Sequence, residues 1–211
     1  MASAWVLATR NGGKLRELRA LFASHDFDVV SLADLGVAED AGAEEHIESF
    51  ATFEENALAK ARYFASRLPG HVVFADDSGL SVDALEGAPG VYSKRWSGSV
   101  DTTHSSVDAS NNTMLMARLR GVAMRTARFV CAAAWCDGVR DEVARGEVVG
   151  RIVDDARGAH GFGYDPHFYV NELGMTLAEA TVAEKQRVSH RARAFARLFE
   201  QLHRRGESSS W

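Results

Sequence analysis

The sequence predicts an α/β fold with a central mixed β-sheet flanked by helices, and three observations carry that expectation. Short apolar runs alternate with helical periodicities through the first half of the chain, the pattern of strand–helix units around a sheet. In the second half, two apolar runs flank a turn, which adds an antiparallel hairpin and makes the sheet mixed. The composition is globular: 46% of the 211 residues are apolar and 25% charged, which argues against a disordered chain, a collagen-like fibre and a membrane channel. The length predicts one domain, or one with a compact second lobe, over residues 1–205, followed by a frayed tail at 206–211.

Trp5 to Ala8 reads as the first strand. It runs through Thr9-Arg10-Asn11-Gly12-Gly13 into a helix with Leu15, Leu18, Leu21 and Phe22 on one stripe. Phe27 to Val30 reads as a second strand, joined by the acidic stretch Val37 to Glu48 to a long helix from Ser49 to Leu68. Pro69-Gly70 stops that helix. Val72 to Ala75 is a buried strand ending at Asp76-Asp77-Ser78-Gly79, with partial alternation resuming from Leu80 to Leu85. Gly87 to Gly90 is a turn, and a helix covers Asn111 to Leu119 from an N-cap near Ser105 or Ser106. Arg128 to Trp135 and Val143 to Val153 pair as strands around Asp137-Gly138. A glycine-rich loop, Gly158 to Asp165, precedes a last helix from Ser189 to Arg204.

Lys and Arg total 24 against 29 Asp and Glu, so a net charge of −5 gives no general attraction for a polyanion and a nucleic-acid partner is disfavoured. The stretch Met1 to Ala8 lacks a basic leader and no window approaches the roughly 18 apolar residues of a spanning helix, so no membrane partner is expected. Cys131 and Cys136, five apart on one strand, point to opposite faces and read as two buried thiols in a reducing compartment, the cytoplasm.

Four constellations carry chemistry. Thr9 to Lys14 brings free backbone amides, a helix dipole and an ammonium to one spot, which suits a phosphate; an ordinary Asn-Gly-Gly turn fits the same residues. Asp76-Asp77 follows four apolar residues, where buried charge calls for a cation or hydrogen bonds. Mg²⁺ satisfies that need with one or two carboxylates, and Glu44, Glu45 or Glu48 could supply the second; the alternative is a plain turn beside solvated glutamates. Asn56 and Lys60 share a helix face that could border a phosphate. Gly161 to Pro166 sets two aromatics and a carboxylate among glycines, chemistry suited to a flat heterocycle, and Lys185, His190 and Arg191 supply donors near a helix start. Structural turn aromatics and a solubilising basic helix are the competing readings.

Taken together these match a nucleoside triphosphate. The chain resembles the inosine triphosphate pyrophosphatase family, and within it the bacterial dITP/XTP pyrophosphatase branch. The resemblance runs from Val6 to Leu202 and rests on seven motifs in order: Ala8-Thr9-Arg10-Asn11 to Lys14, Thr52 to Ala61, Ala75 to Leu80, Gly87 to Ser93, Ala127-Arg128-Phe129, Gly161 to Pro166, and Ser189-His190-Arg191. It implies a two-lobed fold with the active site in the interlobe cleft, a homodimer, and cleavage of noncanonical purine triphosphates to monophosphate and pyrophosphate with Mg²⁺. By position it implies Asp77 as proton acceptor and metal ligand, Ser78 as a substrate contact, Thr9 to Lys14 as the phosphate loop, and Phe162, Gly163, Tyr164, Asp165, Lys185, His190 and Arg191 as the base site; Glu48, by its spacing from Phe53, is the choice for second metal ligand. Arg10 replaces a small or neutral residue of the family pattern, and Ile47 to Ala51 departs from it.

Overall fold

The computed structural model describes residues 5–100 and 103–206. Of the tail expected at 206–211, residues 207–211 lie outside the described set, as do residues 1–4 of the N-terminal stretch.

The chain is mixed α/β. Strand β1 (Trp5–Leu7) is wholly buried and leads into α1 (Gly12–Ala23), which Asn11 caps and whose Leu18, Leu21 and Phe22 face inward. Strand β2 (Val29–Ser31) lies parallel to β1, with Trp5 opposite Val29, and β3 (Val72–Val82) lies parallel on the other side, with Trp5 opposite Val72. Strands β4 (Thr126–Cys136) and β5 (Asp141–Ile152) follow the intervening helices, then β6 (Phe168–Val170) and β7 (Met175–Thr176), which run antiparallel to their neighbours. The strand order is β2-β1-β3-β4-β5-β6-β7, a seven-stranded mixed sheet among the described residues. The remaining helices are α2 (Ala41–Ile47), α3 (Phe53–Arg67), α4 (His104–Arg118), α5 (Val182–Val188) and α6 (His190–Arg204).

Several boundaries differ from the sequence reading for local reasons. The joining stretch Val37 to Glu48 contains α2, started by Asp40, whose side chain accepts from Ala43 N. Helix α3 begins at Phe53, not Ser49, because Thr52 is extended and accepts from Glu55 N. Strand β3 does not end at Ala75 but continues through both aspartates to Val82. Helix α4 starts at His104 on a Thr103 cap, ahead of the expected Ser105 or Ser106. Thr181 starts α5 with a reciprocal capping box to Glu184, a signal the sequence reading passed over. Ser189 is extended and closes α5, its N–H donating to Lys185 O at 2.8 Å.

Two compact units divide the chain. The first comprises Met1–Asp77, Cys131–Gly146 and Arg191–Trp211. Its core gathers Trp5, Leu7, Phe22, Phe74, Trp135, Phe195 and Leu198. Phe22 is fully buried and meets the rings of Phe74, Phe195 and Phe199 at centroid distances of 5.0, 5.4 and 5.2 Å. Losing such a ring costs about 3–5 kcal/mol. The second unit comprises Ser78–Val130 and Glu147–His190, with Leu80, Leu115, Leu119, Phe129, Val148, Phe168 and Leu177 at its centre. Both cysteines are buried free thiols. No described helix is long and apolar enough to cross a membrane.

Candidate active site

The first unit builds a charged cluster at the start of α1. Asn11 Oδ1 accepts from Lys14 N at 2.9 Å, and Asn11 N donates to Thr9 Oγ1 at 3.2 Å, which folds the loop tightly onto the helix. The helix starts at Gly12, so the Gly12 and Gly13 amides fall in the first turn, where helix geometry supplies no intrahelical acceptor. Lys14 Nζ lies 3.1 Å from Asp76 Oδ2, and Lys60 Nζ donates to Asp76 O at 2.9 Å. Asp77, 7% exposed, is held through Oδ2 by Asn56 Nδ2 at 2.9 Å. The shared face of Asn56 and Lys60 on α3 thus meets the two aspartates.

The adjacent carboxyls differ in electrostatics. Burial pushes Asp77 above the ordinary carboxylate value, and Glu48 adds to this while Lys14 and Lys60 oppose it. Asp76 is also driven upward by burial, but Lys14, Arg191 and Lys60 outweigh that and hold it well below the usual range. Lys60 stays an ammonium: burial alone would lower its pKa, but Glu48, Asp77 and Asp76 raise it. Asp76 is therefore a fixed counter-charge, and Asp77 is the carboxyl with the greater affinity for a proton.

Glu48, at the end of α2, is ion-paired with Lys60. Its charge is nevertheless felt at Asp77, whose proton affinity it raises. Among the described residues no group of three or more His, Cys, Asp or Glu side chains is gathered to hold a metal. A site with one or two carboxylates, completed by water and phosphate oxygens, is the arrangement that suits Mg²⁺. Of the other acidic residues, Glu44 is turned to Arg10, and the Glu45 side chain lies outside the described set.

Two of the residues expected to contact substrate also meet carboxylates of the protein. The Arg10 guanidinium is clamped by Glu44 at 2.8 and 3.2 Å and by the carbonyls of Val37 and Ala38 at 2.8 and 3.0 Å, so it pins the α2 segment. Arg191, expected among the base donors, is 3% exposed and belongs to the first unit. Its Nε lies 3.2 Å from Asp76 Oδ2 and its Nη1 meets Glu17. A buried, permanently charged guanidinium goes where carboxylates already stand, and nothing local to Ser189-His190-Arg191 discloses that.

The second unit holds Phe162, Gly163, Tyr164 and Asp165 in one loop, with Lys185 on α5 and His190 at the start of α6. Asp165 Oδ2 accepts from Phe162 N at 2.9 Å and from Lys185 Nζ at 2.6 Å, both carboxylate and ammonium being buried. Lys185 Nζ stands 5.3 Å from the centre of the half-buried Phe162 ring. Gly163 is gripped from α4: its N–H donates to Asp108 Oδ2 at 2.7 Å and its carbonyl accepts from Asn112 Nδ2 at 2.9 Å. Tyr164 is buried, and its hydroxyl donates to Ser93 O at 2.9 Å, so it anchors the loop from below. Burial pushes its phenol pKa upward, with Asp108 adding to the shift. His190 lies stacked on Phe129, with centroids 4.9 Å apart and planes at 14°. Ser78 is half-buried on β3. Asp108 and Asn112 are hidden from sequence because each acts on a distant loop's backbone, and Ser93 because it contributes only its own carbonyl, which takes the Tyr164 hydroxyl.

Known proteins are similar to this chain in sequence and fold. A dITP/XTP pyrophosphatase of Burkholderia pseudomallei is 50% identical over 200 residues, spanning 93% of this chain and 92% of that protein. One from Bacillus licheniformis is 43% identical over 196 residues, covering 92% and 94%. The structure of the Staphylococcus aureus Ham1 protein superposes with a TM-score of 0.78 at 36% identity, covering 95% of this chain and 98% of that one. The pattern that defines the Ham1 family matches residues 5–201, and the chain belongs to that family.

Proposed function

We propose that this protein is a nucleoside triphosphate pyrophosphatase that hydrolyses dITP/ITP and XTP/dXTP to the monophosphate and pyrophosphate, removing noncanonical purines from the nucleotide pool. The observation that carries the reading is the buried Asp77 carboxyl, with its raised proton affinity, beside Lys14, Lys60 and the open end of α1. The activity is that of close relatives, which bear the name dITP/XTP pyrophosphatase.

In this reading Thr9, Asn11, the Gly12 and Gly13 amides and Lys14 bind the phosphates, with Ser78 contacting the substrate. Asp77 orients the attacking water and accepts its proton. Phe162 stacks on the base, while Gly163, Tyr164 and Asp165 shape its slot. Lys185, His190 and Arg191 donate toward a 6-oxo group; a 6-amino group would face those donors unpaired. Asp77 and Glu48 would hold Mg²⁺, whose charge relieves the repulsion between them. When bound, the ion supplies positive charge against the phosphate oxygens. The proposal includes a homodimer, supported by family resemblance, and a cytoplasmic location, supported by two free thiols. No nucleic acid or membrane is needed as partner.

The test is a panel of ITP, XTP, dITP, GTP and ATP, with and without Mg²⁺, read by pyrophosphate release. We expect release from ITP and XTP only with the metal, and ITP preferred over ATP by up to about 10⁴-fold. Orthophosphate in place of pyrophosphate, or equal efficiency on ATP, refutes the reading.

A further inference from the structure

We infer that Asp108 and Asn112, on α4 of the second unit, are positioning residues that hold the backbone on both sides of Gly163 and so aim the Phe162 ring. The inference rests on the reading of Phe162 as the platform for the base.

The loop needs a hold from outside. Gly158, Gly161 and Gly163 lie in the left-handed region, with φ of +83°, +78° and +63°. Glycine keeps more backbone freedom than any other residue, so such a stretch has no single path of its own. A ring carried on it is aimed only if the peptide planes around its Cα are fixed. Two planes meet at the Phe162 Cα, and a carboxylate holds each: Phe162 N donates to Asp165 Oδ2 at 2.9 Å, and Gly163 N donates to Asp108 Oδ2 at 2.7 Å. With both planes set, the φ and ψ of Phe162 are set, and with them the direction of its Cα–Cβ bond. Asn112 Nδ2 donates to Gly163 O at 2.9 Å and sets the plane that follows.

Helix α4 suits the part of the fixed side. Asp108, Asn111 and Asn112 are spaced i, i+3 and i+4, so they are neighbours on one face. Asn111 is 2% exposed; its Nδ2 donates to the carbonyls of Ser93 and Lys94, each at 3.1 Å, and its Oδ1 accepts from Ser97 N at 2.8 Å. Ser93 O also takes the Tyr164 hydroxyl, so the base loop and the segment beneath it are tied to the same helix face. Leu115 and Leu119, both fully buried, root that helix in the core of the second unit. Of the two grips on Gly163, the carboxylate makes the charge-assisted and therefore stronger bond.

Aiming a ring and merely stabilising a loop predict different losses. Stacking is indifferent to the identity of the base, because every base has a π-face. The proteins are wild type, Asp108→Ala, Asp108→Asn, Phe162→Ala and the double variant of Asp108→Ala with Phe162→Ala, with thermal melts to confirm folding. The probes are ITP, ATP and inorganic pyrophosphate as an inhibitor. Asp108→Ala should raise the KM for ITP by roughly tenfold, within the approximately 10²-fold range for a misplaced binding group. Pyrophosphate inhibition and the ITP:ATP ratio of kcat/KM should each stay within about twofold of wild type, since the phosphate end is untouched and both bases lose the same stack. Asp108→Asn, which keeps an acceptor oxygen, should recover most of the loss. In the Phe162→Ala background, Asp108→Ala should raise KM no further. Weakened pyrophosphate inhibition, a changed ITP:ATP ratio, an Asp108→Asn variant as impaired as Asp108→Ala, or additive losses in the double variant would each overturn the inference. If Asp108→Ala does not fold, Asn112→Ala must give the same pattern with a smaller rise in KM. A wild type that turns over no triphosphate would sink the functional reading alone. Hydrogen exchange at the Gly163 amide would then still decide whether α4 holds the loop: it should be faster by about tenfold or more in Asp108→Ala, and an unchanged rate overturns the inference.

Discussion

Gly161→Ala should detach the base loop from its anchor while leaving the phosphate end intact. Gly161 has φ +78°, and a Cβ added there would lie 3.0 Å from Asp165 Cγ and closer still to Oδ2. That oxygen cannot yield freely, since it holds both Phe162 N and Lys185 Nζ. The left-handed backbone costs alanine about 1–2 kcal/mol. Displacing a carboxylate from charge-assisted bonds adds about 1.5–3 kcal/mol. The total of roughly 2.5–5 kcal/mol corresponds, at about 2–4 °C per kcal/mol for a chain of this size, to a Tm lower by some 5–20 °C. Scanning calorimetry reads the stability, and steady-state kinetics should show a raised KM for ITP with pyrophosphate inhibition unchanged. In an Asp165→Ala background the clash partner is gone, so Gly161→Ala should then cost only the backbone strain, about 1–2 kcal/mol. A wild-type Tm and KM for Gly161→Ala, or equal costs in both backgrounds, would refute the reasoning.

Asp77→Asn keeps the contact volume and should leave the fold intact while turnover of ITP falls by roughly 10²-fold or more, the loss of a general base or metal ligand; near-normal pyrophosphate release would remove Asp77 from the chemistry. The Arg10 clamp should be visible in acid. Glu44 titrates below its ordinary value, mainly through its hydrogen bond from Arg10. Because its folded pKa lies below the unfolded one of about 4.3, its stabilisation is present above that value and lost as pH falls through the folded pKa. Urea melts should therefore show Glu44→Gln less stable than wild type at pH 7 and the gap closing as the pH is taken below about 4.3; a constant gap would count against the pair.

Much of the site was legible because its groups announce themselves locally. Thr9 to Lys14 is a strand, a glycine turn and a lysine in one short stretch, and Gly161 to Pro166 gathers its aromatics and carboxylate likewise. Asp76 and Asp77 were legible as an anomaly, charge where an apolar run should continue. The strand could not be followed past them because the cations that make it possible come from elsewhere; Arg191 lies 115 positions away. The same distance hid Arg191's carboxylate partners. Beside His190 it reads as a donor at a helix start, and only the fold discloses that Asp76 and Glu17 meet its guanidinium. Helix α2 escaped because seven residues with a glycine give too little periodicity, and β6 and β7, three and two residues long, are too short for alternation.

The way the first unit is threaded governs how the molecule is made. Its aromatic core takes Trp5 and Phe22 from the earliest elements, Phe74 from β3, and Phe195 and Phe199 from α6. During translation the early rings must wait, unsheltered, until about two hundred residues have been synthesised. The second unit is assembled from the stretches between, so a nascent chain arrested before Arg191 holds every residue of that unit but lacks α6 for the first. Arg191, near the start of the helix that seals the core, also meets Asp76 and Glu17, so the hydrophobic centre and the charged cluster both draw on that last helix.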